Sequence, residues 1–272
     1  MADSVKKVLF VNTEIFPYLP ESEMATIGRY LPQGIQERKR EIRSFMPRFG
    51  CINERKNQLH EVIRLSGMNI IIADVDRPLV IKVASISAAR IQVYFIDNDD
   101  YFRRKATHSD AGGAFFADND ERAIFFARGV LETVKKLRWA PDIIHCHGWM
   151  SQLVPAYLKE AYRDDPIFSS SKVVTSLYPD PAGISFPGNF AEKAAFGNLT
   201  ADKLPLGNNP GGMELARTAV KYSDGVILAS ADIDEKIAGY CRDAKIPLLP
   251  FNAESFADGS YIDEYNAFYD EL

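Results

Sequence analysis

Residues Val5 to Val11 form an apolar run with β-branched side chains at the start of the chain, which is how a strand buried on both faces reads. A polar helix rich in Gln and Arg follows from about Met24 to Arg38. A second short strand, Ile42 to Met46, is stopped by Pro47, and together these make a βαβ opening. Between Leu59 and Ile96 the helical period disappears. Val62 to Leu65, Asn69 to Ala73, Leu79 to Val83 and Ile91 to Ile96 read as strands, separated by Gly67, an Asp76-Arg77-Pro78 turn and a small-residue stretch. Hairpins fit that spacing better than crossovers, so an antiparallel excursion off the main sheet is expected.

After Asp97 helix and strand alternate. A helix from about Asn119 to Leu137, with Asp118 as its N-cap and acids in its first turn, leads to strand Ile143 to Cys146. A helix through Leu158 and strand Lys172 to Thr175 follow. Leu177 to Pro210, rich in Pro, Gly and Asn, reads as a long loop region with one short helix near Ala191, and loops of that length are usually functional or mobile. Helix Met213 to Tyr222, strand Gly225 to Ala229 and helix Ile233 to Arg242 complete an open α/β sheet. From Ile246 onward there is no Lys or Arg, and Tyr261, Tyr265, Phe268 and Leu272 fall at helical spacing as one apolar stripe.

A formal net charge of -5 offers no long-range attraction to nucleic acid or anionic lipid, so neither is an expected partner. Cys51, Cys146 and Cys241 are odd in number and far apart, which fits a reducing compartment. The opening run is too short for a signal segment and no later stretch could span a bilayer, so the cytoplasm is the expected location.

In open α/β sheets ligands bind beyond the carboxyl ends of the strands, which points to Asn12 to Glu23, His145 to Trp149 and Ser176 to Gly183. The first of these loops has no glycine to let a pyrophosphate approach the backbone and instead carries Glu14, Glu21 and Glu23, so a nucleotide is not expected there. Gly112-Gly113 reads as a turn. His145 and His147 would share one strand face, but two imidazoles lack a third ligand and no metal is expected. Trp149 is either a sugar-stacking platform or core. His60 and His108 are expected to face solvent, and Arg38-Lys39-Arg40 to be a solvated helix end. No cofactor is implied, and no catalytic triad or carboxylate pair stands out, so no catalytic residue is assigned.

Several motifs in one order carry a resemblance. Glu14-Ile15-Phe16-Pro17-Tyr18 looks like Glu-Val-Ala-Pro-Phe, and Met46-Pro47-Arg48-Phe49-Gly50 looks like Met-Pro-Arg-Tyr-Gly. Ala219-Val220-Lys221-Tyr222-Ser223-Asp224 looks like Gly-Ile-x-Tyr-Ala-Asp. With the Trp-Ala-Pro-Asp-Ile-Ile-His-Cys-His-Gly-Trp-Met stretch from 139 to 150, they make the chain from Val8 to about Ile237 resemble the acceptor-side, N-terminal domain of glycogen and starch synthases. The resemblance implies a mostly parallel, Rossmann-like open sheet, one half of a GT-B fold, over residues 1–245, with an acidic tail and possible docking helix over 246–272. The second, donor-gripping domain of that family is not expected within these 272 residues.

The departures fall at the chemistry. Pro20-Glu21-Ser22-Glu23 stands where the family has Lys-Thr-Gly-Gly, Gly148 where it has an Asp, and Leu177-Tyr178 where it has His-Asn. Losing even one charge-stabilising donor typically costs on the order of a hundredfold in rate. The expectation is a domain inactive alone that binds α-1,4-glucan or maltooligosaccharide, or a partner synthase, with Glu14, His147, Trp149 and Tyr178 lining the glucan crevice. The alternatives are an active transferase that moves glucose from ADP-glucose with the donor site completed by another chain, and a non-sugar module docking through the acidic tail.

Overall fold

The computed structural model describes residues 6–272, so Val5 of the expected opening strand lies outside it. The strands are β1 (Lys7–Asn12), β2 (Glu41–Pro47), β3 (His60–Glu61), β4 (Met68–Ile72), β5 (Val75–Ile86), β6 (Ile91–Asp97), β7 (Ile143–His147), β8 (Lys172–Leu177), β9 (Gly225–Leu228) and β10 (Leu248–Leu249). The helices are α1 (Glu23–Glu37), α2 (Asp99–Phe102), α3 (Asn119–Leu137), α4 (Val154–Ala156), α5 (Phe190–Ala194), α6 (Gly212–Tyr222), α7 (Glu235–Asp243), α8 (Ala253–Asp258) and α9 (Tyr261–Asp270).

The sheet runs β10-β9-β8-β7-β1-β2-β6-β5-β3, with β4 paired to β5. It is parallel from β10 to β6 and antiparallel at β5. This is the Rossmann-like, mostly parallel open sheet with an antiparallel excursion that the sequence implies.

The opening run explains the two-sided core. Successive side chains of a strand point to opposite faces, so Leu9 and Val11 pack with α3, while Val8 and Phe10 pack with Ile27, Leu31 and Ile35 of α1 and with Tyr261, Tyr265, Phe268 and Tyr269 of α9. The Arg38-Lys39-Arg40 run is not a solvated end. Arg38 pairs with Asp263 at 2.6 Å, and Arg40, only 7% exposed, pairs with Asp270 at 2.7 Å and holds the Asn266 side chain, so the run clamps α9 in place.

Four local expectations need correcting. Val62 to Leu65 is turn, because the chain leaves β5 after two ladder residues and reverses through Gly67 at φ +86°. Asp76-Arg77-Pro78 lies inside β5, and the hairpin turns instead at Ala73-Asp74, both left-handed as a two-residue hairpin requires. Pro78 is tolerated because at that point β5 has only β4 beside it; β6 joins from Val80. The helix through Leu158 is broken into a 3₁₀ turn at 149–151, the three residues of α4 and a π-type turn at 157–161. Pro155 there cannot donate back to the carbonyl of residue 151. Finally, Asp118 sits at the N-cap of α3 without capping it, since its carboxylate is held by Arg104 at 2.6 Å. No helix among the described residues is long and apolar enough to cross a membrane.

Candidate functional site

Because β1, β7, β8 and β9 are parallel, their carboxyl ends open on one edge, and the loops that follow them build a crevice there. Three cavities of about 450, 170 and 540 Å³ form it. The first and second share Glu14 and His108 as lining, and the second and third share Tyr178, Pro179 and Asp180.

The four residues singled out from sequence meet at the middle cavity, in unequal roles. Glu14, Trp149 and Tyr178 line it. His147 does not: it is fully buried behind the wall, and its Nδ1 hydrogen-bonds the Tyr178 hydroxyl at 2.9 Å. Burial pushes its pKa down to about 3, so at neutral pH the ring is an uncharged positioner of Tyr178. His145 beside it, with ring centroids 3.8 Å apart, is bonded to Tyr269 of α9 at 2.6 Å and to Ser176 at 2.8 Å. Among the described residues no cluster of three or more His, Cys, Asp or Glu could hold a metal ion.

Trp149 is only 4% exposed and packs on Phe115 and Phe186, so it is a wall of the cavity anchored in the core rather than an open stacking platform. Glu14 is held by the Ser22 hydroxyl, which donates at 2.7 Å, and burial raises its pKa despite that bond. The same Ser22 side chain caps α1 by accepting from the amide of Ala25 at 3.0 Å, so one residue fixes both the helix start and the carboxylate.

Three lining residues were missed. His108, expected in solvent, is half-buried between the first two cavities; burial and the Arg122 guanidinium lower its pKa. Asp180 is raised to about 6 by burial and then by the Asp234 carboxylate nearby. Gln152 is 3% exposed with its Oε1 unpartnered. All three lie in loops or broken helix, where no periodicity marks a facing direction. Gly148, between His147 and Trp149, has φ +80°, and a Cβ there would come within 2.6 Å of Met24 Sδ and 2.7 Å of Thr13 Oγ1. Gly148→Ala should therefore cost about 2–3 kcal/mol from backbone strain and overpacking, read as a melting temperature roughly 4–10 °C lower.

The electrostatics are one-sided. Glu14, Glu21, Asp180, Asp232 and Asp234 line the crevice, and Lys236 is the one lysine or arginine among its lining residues. The geometry offers hydrogen-bond acceptors to a neutral polyhydroxyl ligand and little to a diphosphate.

Comparison with known proteins places the chain as a whole. A family profile described as starch synthase catalytic domain matches residues 7–241. A glycogen synthase of Chlorobaculum tepidum is 36% identical over 226 residues, covering 82% of this chain and 46% of that protein. One from Chlorobium limicola is 40% identical over 173 residues, covering 63% of this chain and 35% of that protein. The catalytic domain of starch synthase IV from Arabidopsis thaliana, bound to ADP and acarbose, superposes with a TM-score of 0.74 at 14% identity, covering 91% of this chain and 51% of that one. The chain thus spans about half or less of the length of the relatives it matches.

Proposed function

This chain belongs to the starch synthase catalytic domain family, and we propose that its 272 residues bind α-1,4-glucan, or a partner synthase, instead of transferring glucose by themselves. In this reading residues 1–245 are an acceptor-side domain against which the acidic segment 246–272 packs through α9, working in the cytoplasm. The observation that carries it is the acidic crevice, in which Lys236 is the one lysine or arginine among the lining residues. A departing diphosphate needs fixed cations or donors around it, whereas the hydroxyls of a glucan donate to carboxylates readily.

Calorimetric titration with maltoheptaose and, separately, ADP-glucose tests this. Glucan binding without nucleotide binding is expected. Failure to bind any maltooligosaccharide would sink the glucan reading.

A second reading is favoured by the extent of the match, since the chain aligns with about half of a catalytic domain bound to ADP and acarbose. In that reading another chain completes the donor site, and glycogen-dependent ADP release appears only when that chain is added. Docking through the tail has less support, because the apolar stripe of α9 is already spent on this chain's own core.

A further inference from the structure

The three cavities of the crevice stand in a line. The first meets the second at Glu14 and His108, the second meets the third at Tyr178, Pro179 and Asp180, and the first and third share no residue. Their sizes are uneven, about 450 Å³ and 540 Å³ at the two ends and about 170 Å³ between them. Small-molecule pockets usually span about 300–1,000 Å³, so each outer cavity is of that size and the middle one is a waist.

The waist is rigid. Trp149 packs on Phe115 and Phe186, the Tyr178 hydroxyl is tied to the buried His147, and Glu14 is held by Ser22. Burial also separates the waist from the ends. Trp149, Gln152 and Tyr178 in the middle are each at most 7% exposed, whereas Glu21 and Cys51 in the first cavity and Asp232 and Lys236 in the third are exposed. A site that reads the end of a chain has to close around the terminal unit. This crevice is tightest in its middle and is lined by exposed residues at both extremities. What fills it is therefore long, one ring thick at the waist, and continues outward on either side. Carboxylates stand at both junctions, Glu14 at one and Asp180 at the other, as acceptors for the hydroxyls of successive units.

Resting on the glucan reading above, we infer that the crevice grips α-1,4-glucan along its interior, with one glucosyl ring at the waist and the strand leaving through both outer cavities. The ligand is a stretch within a strand, and neither the reducing nor the non-reducing end is recognised. A protein that holds strands in this way leaves their ends free for enzymes that extend or trim them.

The full chain is titrated calorimetrically with maltotriose, with maltoheptaose, and with a p-nitrophenyl maltoheptaoside carrying an ethylidene cap on its non-reducing end, so that both ends are blocked. Maltoheptaose should bind about tenfold or more tighter than maltotriose, because the longer strand buries surface in all three cavities. The doubly capped heptaoside should bind within about threefold of free maltoheptaose. Ala106→Trp and Lys236→Trp fill the first and the third cavity respectively, and each should weaken maltoheptaose about tenfold. Capping that abolishes binding, or an effect of only one of the two tryptophans, means that a chain end sits in a single cavity; either result overturns the inference and leaves the glucan reading standing. No binding of any of the three sugars overturns both.

Discussion

Removal of Ser260 to Leu272 is expected to abolish cooperative folding. Tyr261, Tyr265, Phe268 and Tyr269 are each at most 6% exposed, and they cover Val8, Phe10, Ile143 and Val174 on one face of the sheet. Burying a large side chain contributes about 1.5–3 kcal/mol, so four of them amount to roughly 6–12 kcal/mol, comparable with the whole stability of an ordinary domain at about 5–15 kcal/mol. The surface ion pair of Arg38 with Asp263 adds little to this. The truncation also takes the Tyr269 hydroxyl from His145. The truncated chain should bind a hydrophobic dye and show no sharp thermal transition by circular dichroism. A cooperative melt within a few degrees of the intact chain would mean that α9 is an accessory element. Tyr269→Phe keeps the ring and deletes only the hydroxyl, and it should cost about 1–3 kcal/mol for the imidazole nitrogen left without its partner.

Much of this architecture was legible because burial leaves a period in sequence. The 119–137 helix and strands such as 91–97 and 143–147 announce themselves by apolar spacing, and the first strand's unbroken run states that both its faces are covered. The hairpin region was harder. Ala73-Asp74 takes the left-handed conformation without Gly or Asn, so only Asp74 marks the turn, while Pro78, the residue that usually signals a turn, sits within a strand. The site was partly legible for a related reason. Strand ends locate loops, so Glu14, Trp149 and Tyr178 could be placed on one edge. Whether a side chain at such an end faces cavity or core depends on the neighbouring strand: His147 pairs in register with Asn12 on β1 and turns inward, and only the assembled sheet shows it. Asp180 and Asp234, more than fifty residues apart, become a carboxylate pair only through the fold.

Acid should destabilise this protein through its buried histidines, beginning well above the usual carboxylate range. Burial lowers the pKa of His147 from 6.5 to about 3, and burial together with the neighbouring His147 lowers His145 well below 6.5. Below pH 6.5 the unfolded chain therefore binds protons that the folded chain refuses, and stability falls with each step down, by about 1.4 kcal/mol per pH unit for each ring, until the folded pKa is passed. Asp180 acts in the opposite sense. Its folded pKa of about 6 lies above the usual 3.8, so between those values the folded chain binds the extra proton and regains stability as pH falls. Glu14 and Asp120 are raised by burial and add in the same direction. The separation comes from single substitutions compared across pH. His147→Asn should lose stability at pH 7, where its ring still orients Tyr178, and should recover about 3 kcal/mol relative to the parent chain by pH 4.5, since two pH units of the histidine's linkage have been removed. Asp180→Asn should show its advantage above pH 6 and lose it below. Urea denaturation at pH 7, 6, 5 and 4.5 gives the comparison directly. A His147→Asn difference that stays constant over that range would mean that the ring takes up a proton in the folded chain, which requires water to reach it past Met24 and Tyr178 and makes it a participant in the crevice.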